Sequence, residues 1–367
     1  MIRKSKVNFS TPSQQQLNRL LKYYQTKQYN DAEKLATSIT QEFPDHQFAW
    51  KVLAIVLKQT DKISQSLVAS QRSVQLEPQD SQAHYNLAVI LQELKRFDEA
   101  EASYRKAIEF KLDYVEAHFN LGGMFKELRR FDEAEASYRE AIEFKPDYAE
   151  AHNNLDILLR EKKLLMNISQ EKKSDDHNKI RNLDSGSRLI SNPFISNRVV
   201  ETNLISNLYK IRLKQIDKKK GPNTKGPLFG NGKTTDFRFF ENNQNILKNV
   251  VDDLSEIMRQ AVKSEIYIFD SFLNIFNNGS GSIPHTHTFS FDKINNLIDQ
   301  KFSLQYYLSV GDQTCSEPGI FKLNNPDEEI LPSNGMVMII PANRYHSAVY
   351  NGKIDRVMIG VNFYSLL

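Results

Sequence analysis

The sequence predicts a multidomain α + β protein, in which an N-terminal α-solenoid precedes a β-rich domain. Three observations lead to this prediction. The chain has 367 residues, which suits two domains of about 150 residues each. Its first half repeats itself with an offset of 34 residues, as stacked helical units do. Its second half has short apolar runs separated by Asn, Gly and Pro, as in antiparallel β-proteins.

The overall composition is that of a globular protein, with 40% hydrophobic and 25% charged residues, which excludes a wholly disordered chain. The net charge of +3 is nearly balanced, so nucleic acid is not an expected partner. No apolar run approaches the roughly 18 residues of a membrane span, so no membrane partner is expected. The single cysteine, Cys315, cannot form an internal disulfide, and we expect a cytoplasmic protein.

The strongest internal repeat joins FDEAEASYRKAIEF at Phe97–Phe110 to FDEAEASYREAIEF at Phe131–Phe144. Weaker copies of the flanking segment begin at Gln82 and Phe48. One helix pair cannot bury its own apolar face, so stacked neighbours supply the core. We expect an N-terminal tail over 1–12 and an α-solenoid over 13–166. The expected repeat units lie near 13–46, 47–80, 81–114 and 115–148, and a capping helix follows at about 149–166.

The period, together with Ala100, Tyr104 and Ala107 in the second helix of a unit, resembles the tetratricopeptide repeat (TPR). The resemblance implies that the array binds a protein or peptide in its groove. Histidines recur at one position of successive repeats, where an earlier repeat has Trp50. Equivalent positions point along the superhelix and do not converge, which favours a structural role over a metal site; the alternative is a polar ladder lining a peptide groove. These histidines are His84, His118 and His152.

The second half begins after a polar segment, which predicts a flexible linker over 167–192 and a β-domain over 193–367. The Gly/Pro-rich loop Lys218–Lys233 lacks a phosphate-binding motif. Apolar residues from Ile246 to Met258 have helical spacing. The expected strands are Glu265–Phe269, Phe272–Asn277, Ser303–Val310, Gly319–Leu323, Met336–Ile340, His346–Tyr350 and Val357–Tyr364. Such short strands indicate a sandwich or barrel.

Three histidines in the β-domain have the spacing of a metal site. His285 and His287 are two residues apart, so their side chains share one face of a strand. His346 opens a later strand, near the point where a jelly roll returns a partner strand to the same mouth. Arg356 follows on the next strand and can bind a carboxylate in a fork geometry. Imidazoles without thiolates suit iron, copper, nickel or zinc.

The order of HTH, YYLSV, GIFKLNNP, PANRYHS and RVMIGVNFY resembles the Fe(II)/2-oxoglutarate-dependent oxygenases over Ser264–Tyr364. The most similar subgroup often lies beside TPR repeats in bacteria. The resemblance implies a jelly-roll fold of the double-stranded β-helix type, with His285 and His346 as iron ligands. It also implies that Arg356 anchors the oxoglutarate carboxylate. Further residues that the resemblance places along the co-substrate pocket are Tyr306, Tyr307 and Asn274.

The sequence departs from the oxygenase pattern at two positions. His287 stands where the family has a carboxylate, so either it is a third ligand or the site has two histidines and water. Asp292 is a nearby carboxylate, but we do not expect it to reach the metal. Met358 replaces the small hydroxylated residue that often accompanies the arginine.

A second template, the cupin, matches several of the same residues and shares the jelly-roll fold. The residues whose spacing matches its two motifs are Gly279, His285, His287, Gly335, Pro341 and His346. The first expectation is a dioxygenase that uses Fe(II), 2-oxoglutarate and dioxygen and recruits a substrate or partner protein through the TPR array. The alternatives are a cupin-like metalloprotein without oxoglutarate, or a non-catalytic TPR scaffold with a degenerate β-domain.

Overall fold

The computed structural model describes residues 11–175, 192–211, 213–215, 228–229 and 232–366. The chain divides into two compact units, Met1–Lys162 and Lys163–Leu367. Residues 1–10 of the predicted tail and most of the Gly/Pro-rich loop Lys218–Lys233 lie outside the described residues.

Four antiparallel helix pairs and a longer helix form the first part of the chain. The helices are α1 (Gln14–Gln25), α2 (Tyr29–Glu42), α3 (Gln47–Gln59), α4 (Ile63–Leu76), α5 (Ser81–Glu93), α6 (Phe97–Phe110), α7 (Val115–Glu127), α8 (Phe131–Phe144) and α9 (Ala149–Asp175). Each of the first four pairs falls within one of the predicted repeat units. Ala100 and Ala107 of α6 are fully buried, because a methyl side chain lets the paired helices approach closely.

The backbone of the array repeats more strictly than its sequence. One residue between the helices of each pair adopts the left-handed conformation, with φ between 59° and 61°. This conformation ends the first helix and reverses the chain. The residues are Lys27, Asp61, Lys95 and Arg129. Because no glycine marks these positions, the sequence did not reveal them.

The recurring ring position of the repeats makes the same hydrogen bond in the second, third and fourth units and in the helix that follows them. In every case a ring nitrogen donates to the backbone carbonyl six residues earlier. The pairs are Trp50 Nε1 with Pro44 O at 2.8 Å, His84 Nε2 with Pro78 O at 2.8 Å, His118 Nε2 with Leu112 O at 2.9 Å, and His152 Nε2 with Pro146 O at 2.8 Å. The bond satisfies a carbonyl at the turn before the helix, so these residues have a structural role.

Two adjacent glycines of α7 give a matched test of how tightly the repeats pack. A Cβ at residue 122 would lie 2.9 Å from the Tyr138 ring, whereas one at residue 123 would approach only the Tyr138 hydroxyl, at 3.7 Å. We expect Gly122→Ala to lower the free energy of unfolding of the array by about 1–3 kcal/mol through overpacking. Gly123→Ala should instead raise it by about 0.5–1 kcal/mol, the helix propensity gain. Urea unfolding followed by Trp50 fluorescence measures both, and equal effects would contradict the packing explanation.

Helix α9 continues past the point where the sequence predicts a linker. The linker was expected from residue 167, but the helix ends at Asp175. The second unit begins at Lys163, within this helix. Inside that unit Leu164 and Ile168 are buried in a cluster with Phe269 and Tyr364, and this burial maintains the helix where the local sequence is polar. The rest of the predicted linker, residues 176–191, lies outside the described residues.

The second unit contains twelve strands and a few helices in the described residues. Its first elements are β1 (Phe194–Asn197), α10 (Leu204–Leu208), β2 (Lys214–Gln215), β3 (Leu228–Phe229), β4 (Lys233–Thr234), α11 (Phe239–Asn242) and α12 (Gln244–Val262). They are followed by β5 (Ile266–Phe276), β6 (Ser280–His285), α13 (Ser290–Ile294), a 3-10 helix (Ile298–Gln300), β7 (Lys301–Ser309), β8 (Phe321–Leu323), β9 (Glu328–Ile330), β10 (Met336–Pro341), β11 (His346–Tyr350) and β12 (Arg356–Ser365).

The strands form two sheets whose neighbouring strands pair antiparallel. The large sheet has the order β1-β10-β7-β12-β5-β4-β2, and the small sheet has the order β3-β6-β11-β8-β9. From β5 to β12 the chain crosses between the sheets repeatedly. The N-terminal helical array is therefore followed by a sheet-rich region.

The large sheet has two faces with different neighbours. Its outer face contributes Leu304 and Ile359 to a core that also contains Leu254 of α12. Its inner face contributes Met358 to a second cluster together with Phe321 of the small sheet. Because side chains alternate along a strand between its register shifts, neighbouring residues of β5, β7 and β12 point to the outer and the inner face in turn.

Two expectations about the strands were wrong. The runs predicted as Glu265–Phe269 and Phe272–Asn277 form one strand, because the intervening polar residues are paired. The Ser271 hydroxyl accepts from Phe240 N at 2.9 Å, and the Asp270 carboxylate accepts from Asn362 Nδ2 at 2.7 Å. Strand β6 was also missed, since its sequence SGSIPH has little β propensity.

Candidate metal centre

The three histidines of the β-domain converge in the structure. The candidate ligand atoms of His285, His287 and His346 all lie within 4.8 Å of one another. The Nε2 atoms of His287 and His346 are 3.2 Å apart. Two nitrogens that each lie about 2.1 Å from one ion are separated by about 3.0–3.4 Å at right-angled or tetrahedral geometry. Within the described ranges, this is the single cluster of three or more potential metal-ligating side chains.

Backbone pairing brings these residues together. His285 ends β6 and lies directly opposite His346, the first residue of β11. His287 lies just beyond β6, where its N–H donates to Ala342 O at 2.8 Å. The ring centroids of the three histidines are 4.4–5.0 Å apart. Two antiparallel strands and one backbone hydrogen bond therefore set the positions of all three rings.

Hydrogen bonds orient two of the rings toward the centre of the cluster. His285 Nδ1 donates to Ile283 O at 2.8 Å, and His346 Nδ1 donates to Arg344 O at 3.1 Å. In the neutral imidazole this leaves Nε2 with its lone pair. Phe321 stacks on His346, with ring centroids 5.1 Å apart. Such backbone contacts fix the tautomer and orientation of metal-ligating histidines.

The electrostatic environment keeps the three imidazoles neutral at pH 7. Burial lowers the pKa of His285 and, more strongly, that of His287, where the neighbouring His346 and His285 lower it further. Burial lowers the pKa of His346 to about 3. A neutral imidazole can donate its lone pair to a metal ion, whereas an imidazolium cannot.

Asp292 does not join the histidines, as the sequence predicts. Its carboxylate is fully buried and accepts from Lys301 Nζ at 3.0 Å, from the Tyr364 hydroxyl and from Phe289 N. Lys301 O in turn accepts from Ala342 N at 2.9 Å, and Ala342 is the residue that holds His287. The buried ion pair thus contributes to positioning the segment that contains the third histidine.

Arg356, Asn274 and Tyr307 all lie on the inner face of the large sheet. The Arg356 guanidinium is buried, donates to the carbonyls of Gly319, Pro318 and Val310, and lies 5.6 Å from the Tyr307 ring centroid. Met358 separates Asn274 from Tyr307 in the strand register. Gly319 leaves the space for the guanidinium, because a Cβ there would overlap Arg356 Nη1.

Tyr306 does not accompany these residues. Its ring belongs to the outer core, and its hydroxyl accepts from Arg198 Nη1 at 3.0 Å. Tyr306 and Tyr307 therefore lie on opposite faces of the large sheet, because consecutive residues of a strand point to opposite sides.

Two polar residues of the inner face were not recognised from the sequence. Gln305 and Asn362 are almost fully buried, and the side-chain amide oxygen of each has no hydrogen-bond partner in the described structure; the same is true of Asn274. The signal in the sequence was a lone amide within an otherwise strand-like run, SLQYYLS in β7 and IGVNFY in β12. Such residues are depleted in strands unless they face a polar partner.

Comparison with known protein families finds a match in the N-terminal region of the chain. The Tetratricopeptide repeat family matches residues 79–147, which contain α5–α8. The N-terminal region therefore consists of TPR repeats, as the sequence predicts. No curated protein matches the chain. None of the described helices is long and apolar enough to cross a membrane.

Several solved structures have a limited similarity to part of the chain. A crystal structure of MamA is 17% identical, with a TM-score of 0.37, and the match covers 39% of this chain and 84% of that one. YrrB, a TPR protein with an unusual peptide-binding site, is 19% identical, with a TM-score of 0.36 over 38% and 72% of the two chains. TTC0263, a thermophilic TPR protein in Thermus thermophilus, is 20% identical, with a TM-score of 0.34 over 38% and 77%.

Proposed function

We propose that the second unit is a metal-dependent dioxygenase that uses Fe(II) and 2-oxoglutarate, and that the TPR array binds its protein substrate or a partner. The observation that carries the proposal is the convergence of His285, His287 and His346, whose ligand atoms lie within 4.8 Å of one another. The cluster fits a divalent transition metal, because three neutral imidazoles face a common centre. The resemblance of the sequence to the oxygenase family supplies the reaction.

These three histidines would hold the iron. Bound Fe(II) supplies the capacity to activate dioxygen at the expense of oxoglutarate, which is converted to succinate and carbon dioxide while a C–H bond of the substrate is hydroxylated. The protein residues position the ligands and exclude water. Phe321 covers one side of His346, and the Nδ1 hydrogen bonds hold His285 and His346 in the orientation that a metal requires.

Arg356 would bind the distal carboxylate of oxoglutarate. Arg356 is 1% exposed. Its guanidinium has backbone carbonyls, the rings of Tyr307 and Tyr350 and the Cys315 thiol as neighbours, and it forms no ion pair with a described carboxylate. A buried cation without an anion is costly, and a carboxylate ligand would neutralise it. Asn274, with its unpaired amide oxygen, and Tyr307 both pair with Met358, which is two residues along β12 from Arg356.

The connectivity of the two sheets supports the jelly-roll fold that the oxygenase family implies. Strands β10, β7, β12 and β5 are consecutive neighbours in the large sheet, and β6, β11, β8 and β9 are consecutive in the small sheet. Eight strands divided in this way between two facing sheets are the pattern of a jelly roll. The histidines then lie where strands of the small sheet end, which is the mouth of the sandwich.

The TPR array offers a surface for a partner with apolar and basic groups. A cavity of about 660 Å³ lies between α6, α7 and α8 and contains the exposed side chains of Leu112 and Phe144. The residues that line the cavity include one arginine and a larger number of glutamates, among them Glu109, Glu140 and Glu143. Exposed apolar groups with an acidic rim are typical of a protein interaction site.

A spectroscopic titration tests the proposed function. Addition of Fe(II) and oxoglutarate to the full chain without oxygen should produce the weak visible charge-transfer band of a chelated complex, and admission of air should then yield succinate. Absence of both the band and succinate would overturn the oxygenase proposal. Bound metal together with that result would favour a cupin-like protein, and absence of any metal would leave the non-catalytic scaffold.

Replacement of Arg356 by alanine separates co-substrate binding from metal binding. We expect the variant to bind oxoglutarate about 30-fold to 1000-fold more weakly, since loss of one partner of a buried charge pair costs about 2–5 kcal/mol. Metal content should be unchanged, because the guanidinium contacts none of the histidines in its hydrogen bonds. Calorimetric titration and metal analysis measure the two properties. Arg259→Ala on α12 is the control. If Arg356→Ala lost metal and oxoglutarate binding equally, Arg356 would not have the assigned role of binding the carboxylate.

A cupin-like metalloprotein that does not use oxoglutarate is the second candidate. Two observations favour it: the cluster contains three imidazoles and no carboxylate, and Arg356 already donates to three backbone carbonyls. The titration above distinguishes it, because it would bind metal without the charge-transfer band.

A further inference from the structure

The inner face of the large sheet has two unpaired hydrogen-bond acceptors near the histidines. Gln305 and Asn362 are 4% and 2% exposed, and neither Gln305 Oε1 nor Asn362 Oδ1 has a partner in the described structure. A buried amide oxygen without a donor costs about 1–3 kcal/mol. Two such atoms on adjacent strands of one face therefore indicate a ligand that supplies the missing donors.

The strand register places the two amides next to each other. Gln305 of β7 lies opposite Gly360 of β12, and Ser303 lies opposite Asn362. Gln305 and Asn362 are consequently diagonal neighbours on the inner face, about 7–8 Å apart at Cα, which long polar side chains span. The Phe272 ring of β5 covers Gly360, since a Cβ at residue 360 would lie 2.2 Å from its nearest ring atom.

The same register places the amides at the histidine end of the sheet. Ser303 pairs with Ile340, the penultimate residue of β10. The chain then turns and enters β11 at His346. Ala342 in this turn bonds to both Lys301 and His287 through its backbone. Arg356, by contrast, pairs with Phe276 at the opposite end of the sheet, so the two amides are separate from the proposed carboxylate anchor.

The internal hydrogen bonds make this subsite rich in acceptors. Asn362 Nδ2 donates to the Asp270 carboxylate at 2.7 Å, and because a carboxylate only accepts, the amide oxygen of Asn362 is the atom left without a partner. Gln305 Nε2 contacts Ser303 Oγ at 2.9 Å, and Gln305 Oε1 likewise has no partner in the described structure. Ammonium and guanidinium groups carry donors and no acceptors, whereas a carboxamide would bring its own unpaired oxygen.

We infer that Gln305 and Asn362 form the subsite for the primary substrate and bind its ammonium or guanidinium group beside the histidine cluster. This inference rests on the proposed function, since it names the substrate class of that site. A basic side chain of a polypeptide has this chemistry, and so does a free amine.

Binding of three small probes to the full chain, loaded anaerobically with Fe(II) and oxoglutarate, tests the inference. The probes are the N-acetyl amides of arginine, lysine and citrulline, and citrulline is the neutral isostere of arginine. Saturation-transfer NMR detects affinities in the millimolar range. We expect a cationic probe to bind at least about 10-fold more tightly than citrulline, the factor that loss of a charge-assisted hydrogen bond produces. The arginine and lysine arms distinguish guanidinium from ammonium.

Variants then locate the site. Asn362→Leu and Gln305→Met keep the approximate size of each side chain and remove the acceptor, and each should weaken the cationic probe at least about 10-fold. Asn295→Leu is the matched control, because the amide oxygen of Asn295 is also unpaired but lies in the loop after α13. Thermal unfolding identifies a variant that fails to fold. In that case, probe binding by the other variant tests the subsite.

The outcomes separate this inference from the proposed function. Binding of citrulline equal to that of the cations, no binding of any probe, or full binding by both variants would overturn the subsite. If the cationic probes bind but neither Fe(II) nor oxoglutarate does, the subsite stands and the oxygenase proposal fails. If oxoglutarate is converted to succinate while no cation binds, the oxygenase proposal stands and the subsite fails.

Discussion

A chain with His346→Ala should bind divalent metal at least about 100-fold more weakly than the natural chain. His346 is the most buried of the three histidines, lies opposite His285 and faces His287 Nε2 at 3.2 Å. Loss of an outer hydrogen bond to a ligand already costs about 10–100-fold in metal affinity, so loss of the ligand itself should cost more. Competition with a chelator of known affinity measures the change.

The histidines of the TPR array provide the control for this experiment. His84→Ala removes a ring that donates to Pro78 O and should leave metal affinity unchanged. His287→Ala should have a smaller effect than His346→Ala if water replaces the third ligand, and His287→Asp should retain the metal with the carboxylate of the usual oxygenase set. Unchanged affinity in His346→Ala would contradict a metal site at this cluster.

The metal-free β-unit should lose stability steeply between neutral pH and pH 5. The pKa of His346 is about 3 in the folded chain and about 6.5 when unfolded. The unfolded state therefore binds the proton first, and stability falls as the pH drops below about 6.5 toward 3, by about 1.4 kcal/mol per pH unit. His285 and His287 shift in the same direction through burial and add to the slope.

Hydrogen exchange of peptides from β6 and β11 measures this acid sensitivity, since Trp50 lies in the array and reports on the other unit. His346→Gln should reduce the slope between pH 6.5 and pH 5, a window above the usual titration of carboxylates. His152→Ala is the matched control in the array. An identical slope in His346→Gln and the natural chain would show that this histidine is not held neutral by the fold.

The sequence was sufficient to predict the helix pairs of the TPR array, because each unit repeats the same pattern of packing residues. Alanines at helix contacts and the 34-residue offset placed every pair of helices within its predicted unit. The left-handed turns at Lys27 and Asp61 were not visible, since these residues adopt that conformation only because the flanking helices impose it. The extension of α9 was missed for a similar reason: Leu164 and Ile168 find their partners far away in the sequence.

The candidate site was recognised in part. The spacing of His285, His287 and His346 led to the expectation of a common site, on the assumption that a strand presents alternate residues on one face. In the structure His287 lies beyond β6 and is positioned by its backbone bond to Ala342. Periodicity did not distinguish Tyr306 from Tyr307, because the choice depends on which face of β7 meets the small sheet. The unpaired amides of Gln305 and Asn362 were not predicted, because whether an acceptor lacks a partner depends on its surroundings in the fold and not on the residue type.

The bond from a ring nitrogen to the carbonyl six residues earlier treats tryptophan and histidine alike. Each of these turns requires one ring N–H within hydrogen-bond distance of its carbonyl. Either ring that provides this donor can therefore occupy the position. The turns that begin successive units are then equivalent, and a middle unit can be duplicated or deleted while its neighbours keep their packing. The number of repeats, and with it the length of the binding surface, can therefore change without a change in the turns between units.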